Sequence, residues 1–152
     1  MERIVITKSQ GETKRLGERF AREIIRKRPL DEAVVIGLEG DLGGGKTTFL
    51  QGFAKGLGVK EKILSPTFVI LKRFHVPYSM FHDFYHIDCY RIQKPKEILS
   101  LGFKKIISDP KNIVAVEWAD RVQKVLPRDI IVIRFDFVDQ KTRKITPSHF
   151  KK

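Results

Sequence analysis

Apolar residues in the first 30 positions follow first a strand-like and then a helical pattern. A short apolar run at residues 4–6 predicts a strand, and Ser9 with Glu12 three residues later has the form of a capping box that begins a helix. The next large apolar residues recur at every fourth position and so share one helical face: Leu16, Phe20 and Ile24. The arginines between them are expected to point largely toward solvent: Arg15, Arg19, Arg22 and Arg26. Pro29 marks the end of this helix.

A strand, a glycine-rich turn and a second helix are predicted in succession over residues 33–58. Residues 33–39 form an apolar run rich in Val and Ile, which is typical of a strand buried on both faces in a parallel sheet. A glycine-rich turn follows at once. Beyond it the apolar residues return with helical spacing as far as Leu57, and Gly58 fits a C-terminal cap.

The rest of the chain is predicted to contain further strands and one helical segment. Residues 67–74 and 81–88 have the aromatic and β-branched content of strands, and a turn around Pro77 makes a hairpin plausible. A helical segment is predicted over residues 95–107. Later strands are predicted at residues 113–116, at residues 130–137 and, as an edge strand, at residues 141–145. This alternation favours an α/β sandwich with a largely parallel central sheet and antiparallel additions.

Composition excludes several classes of protein. At 152 residues the chain has the length of one domain, and we expect a single domain over residues 1–152. Hydrophobic residues make up 41% of it, which argues against intrinsic disorder. No apolar stretch approaches the roughly 20 residues of a membrane span, and the N-terminus lacks the apolar region of a signal peptide, so we expect a cytoplasmic protein without a membrane partner. The single cysteine, Cys89, excludes an intrachain disulfide.

Most of the net charge lies at the two ends of the chain. Thirty Lys and Arg residues against eighteen Asp and Glu give +12, which by itself suggests a nucleic-acid-binding protein. Residues 1–30 carry +5 and residues 141–152 carry another +5, so the 110 residues between them carry only +2. Two interpretations stay open: a basic surface for an RNA or an acidic partner protein, or a solvated helix face and a basic C-terminal tail at about residues 141–152.

A phosphate-binding motif follows the strand predicted at residues 33–39. The pattern G-x-x-x-x-G-K-[ST] is matched in full by Gly40-Asp41-Leu42-Gly43-Gly44-Gly45-Lys46-Thr47. Its glycines let the backbone curl so that successive N–H groups face an anion at the positive end of the helix dipole. We therefore expect the following residues to bind nucleotide phosphates: Asp41, Leu42, Gly43, Gly44, Gly45, Lys46, Thr47 and Thr48. With this motif the expected fold becomes a P-loop NTPase-like three-layer sandwich.

Within the motif, a lysine and a threonine carry distinct expected roles. Lys46 should neutralise the β and γ phosphates, and the Thr47 hydroxyl should ligate Mg²⁺, which prefers oxygen ligands. A P-loop enzyme also needs an acidic residue at the end of a second buried strand, to hold the water shell of the metal or to orient an attacking water. Glu117, which ends the run Ile113-Val114-Ala115-Val116, fits that pattern, and Asp88 is the other candidate. If residues 84–88 are extended, His86 and Asp88 share a face with Phe84.

Three other residue types, histidine, cysteine and tryptophan, also have ordinary structural explanations. His82 and His86 have the spacing of a helical metal pair, but the segment has the pattern of a strand and no third ligand is evident. Cys89 is flanked by bulky residues, so it is expected to be a packed apolar side chain rather than a nucleophile. Trp118 belongs either to the core or to a site where it stacks on a base, and spacing cannot choose between them.

Four blocks of residues, in order and spacing, resemble the bacterial TsaE (YjeE) family. They are Gly40-Asp41-Leu42-Gly43-x-Gly45-Lys46-Thr47-Thr48, Ser65-Pro66-Thr67-Phe68, Tyr85-His86-Ile87-Asp88-x-Tyr90-Arg91 and Val116-Glu117-Trp118. Together they are much more specific than the phosphate motif alone. That family is a small P-loop ATPase required to make N6-threonylcarbamoyladenosine (t6A) next to the anticodon of tRNAs that read codons beginning with adenine. It works with the proteins TsaB and TsaD.

The resemblance implies a magnesium-dependent ATPase that supports or resets the modifying complex between turnovers, with ATP and Mg²⁺ as cofactors. The threonylcarbamoyl transfer itself would belong to TsaD. Carried across, Lys46 and Thr47 would be phosphate and Mg²⁺ ligands, Glu117 a metal or catalytic carboxylate, and Asp88 an acidic active-site residue. Residues 65–68 would form a loop near the γ-phosphate, where Thr67 would report the nucleotide state.

Two departures from the family pattern are mild, and the resemblance also suggests a role for the basic ends. Gly44 stands where the family usually has Ala, and Ala119-Asp120 replaces a common Pro-Glu, which leaves a role for a carboxylate at position 120 in doubt. The basic ends would contact tRNA, directly or indirectly, or acidic surfaces of TsaD and TsaB.

Two other functions compete with this one. The first is a P-loop kinase of a nucleoside or small metabolite, which usually needs an arginine-bearing lid; Arg73 and Arg91 are the candidates for one. The second is an RNA-binding module whose nucleotide site is only regulatory, and it would not depend on Glu117.

Overall fold

The structure is a computed structural model that describes residues 3–26, 31–41, 43–64 and 70–151. For residues 149–151 it describes the backbone alone. Its elements alternate between strands and helices. In chain order they are β1 (Val5–Thr7), α1 (Gln10–Arg26), β2 (Val34–Gly40), α2 (Lys46–Gly56), β3 (Leu71–His75), β4 (Asp83–Asp88), the 3₁₀ helix η1 (Pro95–Leu101), α3 (Phe103–Ser108), β5 (Asn112–Glu117), the 3₁₀ helix η2 (Ala119–Val125), β6 (Asp129–Phe137) and β7 (Arg143–Lys151).

The strands form one mixed sheet whose centre is parallel. Their order is β1-β7-β6-β2-β5-β4-β3, and the pairs β6–β2, β2–β5 and β5–β4 are parallel. The outer pairs, β1–β7, β7–β6 and β4–β3, are antiparallel. This confirms the predicted fold class, including the predicted hairpin, which is formed by β3 and β4. Residues 67–69 of the first predicted hairpin strand lie outside the described residues.

The C-terminal segment is the largest departure from the predicted elements. We predicted an edge strand at residues 141–145 and a basic tail at about residues 141–152, whereas β7 runs from Arg143 to Lys151 and lies between β1 and β6. Ile145 and Pro147 alternate as buried residues along it. The prediction of an edge was wrong because pairing with β1, more than 130 residues earlier in the chain, leaves no local signal.

Helices cover both faces of the sheet, as a three-layer sandwich requires. Helices α1 and α2 bury one face in a core that includes Phe20, Phe49, Phe53, Phe84 and Phe135. The other face packs against η1, α3 and η2 through a second core that includes Ile87, Ile98, Phe103, Val116 and Val122. Within the described residues, no helix is long and apolar enough to cross a membrane.

The first helix has the predicted face and most of the predicted cap. Ser9 Oγ accepts a hydrogen bond from Glu12 N at 3.1 Å, while the Glu12 carboxylate accepts one from Lys8 N at 2.6 Å, one residue before the expected donor. Phe20 and Ile24 are buried, Leu16 packs on the same core, and the four arginines are exposed. Pro29, the predicted stop, lies outside the described residues.

Glycines let α1 and α2 approach each other closely. A Cβ on Gly17 would lie 2.2 Å from Phe49 O, and a Cβ on Gly52 would lie 1.9 Å from Lys14 O. Both distances are too short for any other residue, so each helix presents a glycine to the backbone of the other. This contact places the N-terminus of α1 beside the N-terminus of α2.

Candidate functional site

The phosphate motif forms a turn between β2 and α2 that depends on glycine. Gly40, Gly43 and Gly45 all have positive φ angles, of 129°, 79° and 99°. A Cβ on Gly40 would also lie 2.0 Å from Phe135 O on the neighbouring strand. Because side chains are strained at such angles, the turn needs glycine at these positions. The turn leads directly into α2, which begins at Lys46, so the backbone of the motif lies at the positive end of a helix dipole. Leu42, the remaining predicted phosphate-binding residue between the first two glycines, lies outside the described residues.

Lys46 is folded back onto the turn. Its Nζ donates hydrogen bonds to Gly40 O at 2.6 Å and to Asp41 O at 2.9 Å, and it lies 4.1 Å from the centroid of the Trp118 ring. Burial lowers the pKa of the lysine, while Glu117 and other nearby carboxylates oppose that shift. The structure therefore holds a buried ammonium group in the centre of the site with two carbonyl oxygens and a π face as its partners.

Two carboxylates end neighbouring strands beside this lysine. Asp88 at the end of β4 and Glu117 at the end of β5 are directly registered partners. Glu117 is buried; its Oε1 accepts a hydrogen bond from Thr47 Oγ1 at 3.4 Å, and its Oε2 lies 2.6 Å from His86 Nε2. Burial is the main cause that raises the pKa of Asp88, and the charge of Glu117 adds to it. The hydrogen bond from Tyr90 N to Asp88 Oδ1, at 3.0 Å, opposes the shift.

These donors suit Mg²⁺. Thr47 and Glu117, the two predicted ligands, present a hydroxyl and a carboxylate oxygen 3.4 Å apart at the start of α2. Across the described ranges, no group of three His, Cys, Asp or Glu residues is placed to hold a metal by itself. An ion here would therefore take its remaining ligands from phosphate oxygens and water, which is the usual state of Mg²⁺ in nucleotide sites. His82 and His86, considered above as a possible metal pair, do not lie together at a metal site: His86 is buried against Glu117, and His82 is exposed.

A cavity of about 1090 Å³ opens over the turn. The predicted residues Gly43 to Thr48, Asp88 and Glu117 all line it, as does Trp118, which is half-buried and also packs against the second core. The cavity also has lining residues that sequence reasoning missed: Lys8, Ser9, Gln10, Thr13, Gln140 and Arg143. They come from the β1–α1 junction and from the β6–β7 hairpin, far from the motif in the chain, so no local pattern placed them beside the phosphate turn.

Arg143 ties the β6–β7 hairpin to the phosphate turn. Its Nε donates to Gly43 O at 3.0 Å, and its Nη1 donates to Asp139 O at 2.6 Å and to Thr142 O at 3.0 Å. The guanidinium also lies 4.7 Å from the centroid of the Phe137 ring. Three carbonyl oxygens and an aromatic face thus hold one arginine of the basic C-terminal segment at the wall of the cavity.

Trp118 connects the site to the surface. It adopts the left-handed conformation, with φ of 58°, where the chain turns from β5 into η2. Its ring lies 5.2 Å from the Tyr90 ring and 5.1 Å from the Arg121 guanidinium, and Arg121 donates a hydrogen bond to Tyr90 O. A continuous contact therefore runs from Lys46 through Trp118 to the exposed side chains of Tyr90 and Arg121.

Other candidate residues have structural surroundings that limit their roles. Cys89 is buried in the second core, and burial raises the pKa of its thiol to about 12, which confirms a packed side chain rather than a nucleophile. Arg73 lies 3.5 Å from Asp83 in an exposed ion pair, and Arg91 lines the cavity. Residues 65–68 lie outside the described residues. Asp120 is exposed at the start of η2.

Comparisons with known proteins agree on one family. The family model "Threonylcarbamoyl adenosine biosynthesis protein TsaE" matches residues 7–145. A tRNA threonylcarbamoyladenosine biosynthesis protein TsaE from Haemophilus influenzae is 33% identical over 82% of this chain and 76% of its own length. A TsaE protein from a Nostoc species is 38% identical over the same shares of both chains. The crystal structure of Bacillus subtilis YdiB superposes on this chain with a TM-score of 0.74 and a sequence identity of 30%. The superposition covers 97% of this chain and 85% of YdiB.

Proposed function

This chain belongs to the TsaE family of threonylcarbamoyl adenosine biosynthesis proteins, and on that basis we propose that it is a magnesium-dependent ATPase that supports t6A formation on tRNA. Its role lies in t6A biosynthesis, as the family match and the names of its relatives both indicate. The same similarities give no support to the alternative of a P-loop kinase acting on a nucleoside or small metabolite.

The observation that carries the ATPase proposal is the meeting of Lys46, Thr47 and Glu117 at one glycine-dependent turn. The turn's backbone N–H groups and the N-terminus of α2 would bind the phosphates of ATP. In this structure Lys46 donates to two neutral carbonyl oxygens, and charge-assisted hydrogen bonds to phosphate are stronger. We therefore expect ATP to draw Nζ away from Gly40 and Asp41 and toward the β and γ phosphates.

The metal ligands would be Thr47 and Glu117. Bound Mg²⁺ would supply positive charge that offsets the negative charge developing on the phosphates during hydrolysis. Thr47 would contribute its hydroxyl, and the buried Glu117 would hold the ion's water shell or orient the attacking water. Asp88, the directly registered partner of Glu117 on β4, has its pKa raised by burial and would serve as the second acidic residue of the site. Each of these roles is a proposal that its own variant can test.

We also propose that hydrolysis serves a complex with TsaB and TsaD rather than a reaction on the tRNA by this chain alone. The support is the family membership. The transfer of the threonylcarbamoyl group would belong to TsaD. ATP hydrolysis here would then support repeated turnover of that complex in the cytoplasm.

The ATPase proposal is tested first on the isolated chain with Lys46→Ala. Removing the ammonium group should lower the rate of phosphate release from MgATP by at least about 100-fold, because it deletes a charge that stabilises the transition state. Lys55→Ala is the matched control: it removes a lysine of the same helix whose side chain is exposed and pairs with Glu18 at 3.4 Å. Phosphate release should be unchanged in that variant. A Lys46→Ala protein with near-normal turnover would contradict the proposal.

A further inference from the structure

His86 and Glu117 form a buried pair next to the candidate metal ligands. His86 Nε2 lies 2.6 Å from Glu117 Oε2, and the two side chains are only 1% and 4% exposed. The residues stand on neighbouring parallel strands, and His86 is registered with Ala115, two residues before Glu117. Because side chains alternate along a strand, His86 and Glu117 lie on the same face of the sheet, the face that carries α2.

We propose that His86 is a positioning residue for the ATPase site: it donates from Nε2 to Oε2 of Glu117 and thereby keeps Oε1 turned toward the Thr47 hydroxyl. This inference rests on the proposed function, because it assigns to Glu117 a metal-directed task. The two oxygens of Glu117 have different partners, His86 on one side and Thr47 at 3.4 Å on the other. With both partners in place, the carboxylate cannot rotate without losing at least one of them.

A carboxylate this deeply buried needs such a donor. An ionised group removed from water is costly unless it is hydrogen-bonded. The same-face neighbours of His86 on β4 cannot fill that need, since Phe84 is apolar and Asp88 is itself an acid. Lys46 is close, but its Nζ is engaged by the carbonyl oxygens of Gly40 and Asp41 and is the group expected to move to phosphate. His86 is therefore the described donor that can stay on Glu117 whether or not a nucleotide is bound.

Two amide variants separate positioning from packing. In His86→Gln the side-chain nitrogen stands as many bonds from Cβ as Nε2 of histidine does, so it can reach Glu117 Oε2. In His86→Asn the nitrogen stands one bond closer to the backbone and falls short. Both variants bury a neutral amide at the same position, so a difference between them reports the reach to Glu117 rather than the polarity of the residue.

The measurements are ADP affinity by calorimetry with and without Mg²⁺, the Mg²⁺ concentration that gives half-maximal phosphate release, and the thermal midpoint of unfolding. His86→Asn should raise the Mg²⁺ requirement by about 10- to 100-fold, the usual cost of losing a partner that orients a metal ligand. Its affinity for ADP without Mg²⁺ should equal that of the wild type. His86→Gln should restore a Mg²⁺ requirement close to the wild-type value.

A double variant shows whether His86 acts through Glu117. In a Glu117→Ala background, His86→Asn should cause no further change in the Mg²⁺ dependence of ADP binding, since the two residues act as one unit. The inference is overturned if His86→Asn and His86→Gln are equally impaired, if both match the wild type, or if the loss caused by His86→Asn persists in the Glu117→Ala background. A wild-type chain whose nucleotide binding ignores Mg²⁺ overturns the proposed function, and this inference with it.

Discussion

Asp88 and Glu117 are two acidic residues held close together, an arrangement that does not favour the stability of the ligand-free chain. Burial and the neighbouring carboxylate raise the pKa of Asp88, so the structure disfavours its charged form. The Tyr90 N–H and the charges of His86 and Lys46 act in the other direction. A bound cation would relieve the repulsion between the two carboxylates. The arrangement that destabilises the empty site would therefore favour the binding of Mg²⁺.

Replacing Asp88 with Asn should therefore raise the thermal midpoint of the ligand-free chain at pH 7 by a few degrees, the shift that about 1 kcal/mol produces in a domain of this size. The amide oxygen can still accept the hydrogen bond from Tyr90 N. Since the folded-state pKa of Asp88 lies above its unfolded value, the penalty is present when the carboxylate is ionised and is lost as the pH falls through the raised value. Below the ordinary value of 3.8 the two proteins should be equally stable.

Thermal unfolding at several pH values checks this, with Asp109→Asn as the control. Asp109 accepts the same kind of hydrogen bond, from Lys111 N at 2.9 Å, but it is exposed. Its replacement should leave the midpoint nearly unchanged at every pH. Lower stability of Asp88→Asn at pH 7, or a difference that does not vary with pH, would contradict an ionised Asp88 carboxylate that destabilises the ligand-free chain. Phosphate release by Asp88→Asn should fall, because the second acid of the site is lost.

At the scale of elements, the contact between α1 and α2 links the core to the cavity. Glycines on both helices bring their backbones together, which fixes the N-terminus of α1 beside the phosphate turn. Gln10 and Thr13 of α1 line the cavity for that reason. The buried hydroxyls of Thr7 and Thr13, 2.7 Å apart, hold the β1–α1 junction in the same place.

Replacing Gly52 with Ala should destabilise the chain by about 1–3 kcal/mol or more, because the new Cβ would meet Lys14 O at 1.9 Å and force the helices apart. Gly11→Ala is the control: its Cβ would lie 3.4 Å from the Arg15 guanidinium and 3.8 Å from Ser9 Oγ, which are ordinary contacts, and alanine favours the helix by up to about 1 kcal/mol. Urea unfolding of both variants measures the difference. Equal stability of Gly52→Ala and the wild type would contradict the close packing.

Local patterns predicted the elements, and long-range contacts explain what they missed. The strand at residues 34–40, the turn and the helix from Lys46 were predicted because their signals are contiguous in the chain. The helical segment at residues 95–107 divides into η1 and α3 at Gly102, whose φ of 79° breaks the helix. The place of β7, the reach of Arg143 to Gly43 and the pairing of His86 with Glu117 each depend on residues far apart in sequence, which periodicity cannot detect.

At the scale of the whole molecule, the fold brings the two basic ends together. Strands β1 and β7 are paired, with Ile6 opposite Lys144 and Thr7 opposite Arg143. The segment that follows β1, with Lys8, and the start of β7, with Lys141 and Lys144 nearby, therefore lie on one side of the molecule rather than in separate tails. Lys8 and Lys141, one from each end, both line the cavity. We expect this basic side to contact acidic surfaces of TsaB and TsaD or, through them, tRNA.

Reversing Lys141 and Lys144 to Glu should weaken association with TsaB and TsaD, and more strongly at low salt than at high salt, because interactions between exposed charges are screened. Arg143 is left intact, since it holds Gly43 and its loss would alter the phosphate turn. The double reversal of Lys104 and Lys105, which are exposed on α3 in the opposite layer, makes the same change of charge elsewhere. Binding to TsaB and TsaD, measured at two salt concentrations, should be weakened more by the reversal of Lys141 and Lys144 than by the reversal of Lys104 and Lys105. Equal effects of the two double variants would contradict a binding surface localised at the basic side.

The most direct test of the proposed function is the formation of t6A on tRNA by TsaB and TsaD with the wild-type chain or with Glu117→Ala, in the presence of ATP and threonylcarbamoyl-adenylate. Phosphate release is read in the same tubes. We predict that the wild type hydrolyses ATP faster with its partners and raises t6A formation beyond a single turnover, and that Glu117→Ala does neither. Equal multi-turnover t6A formation with the two proteins, or phosphate transfer only to an added small molecule, would contradict the central proposal.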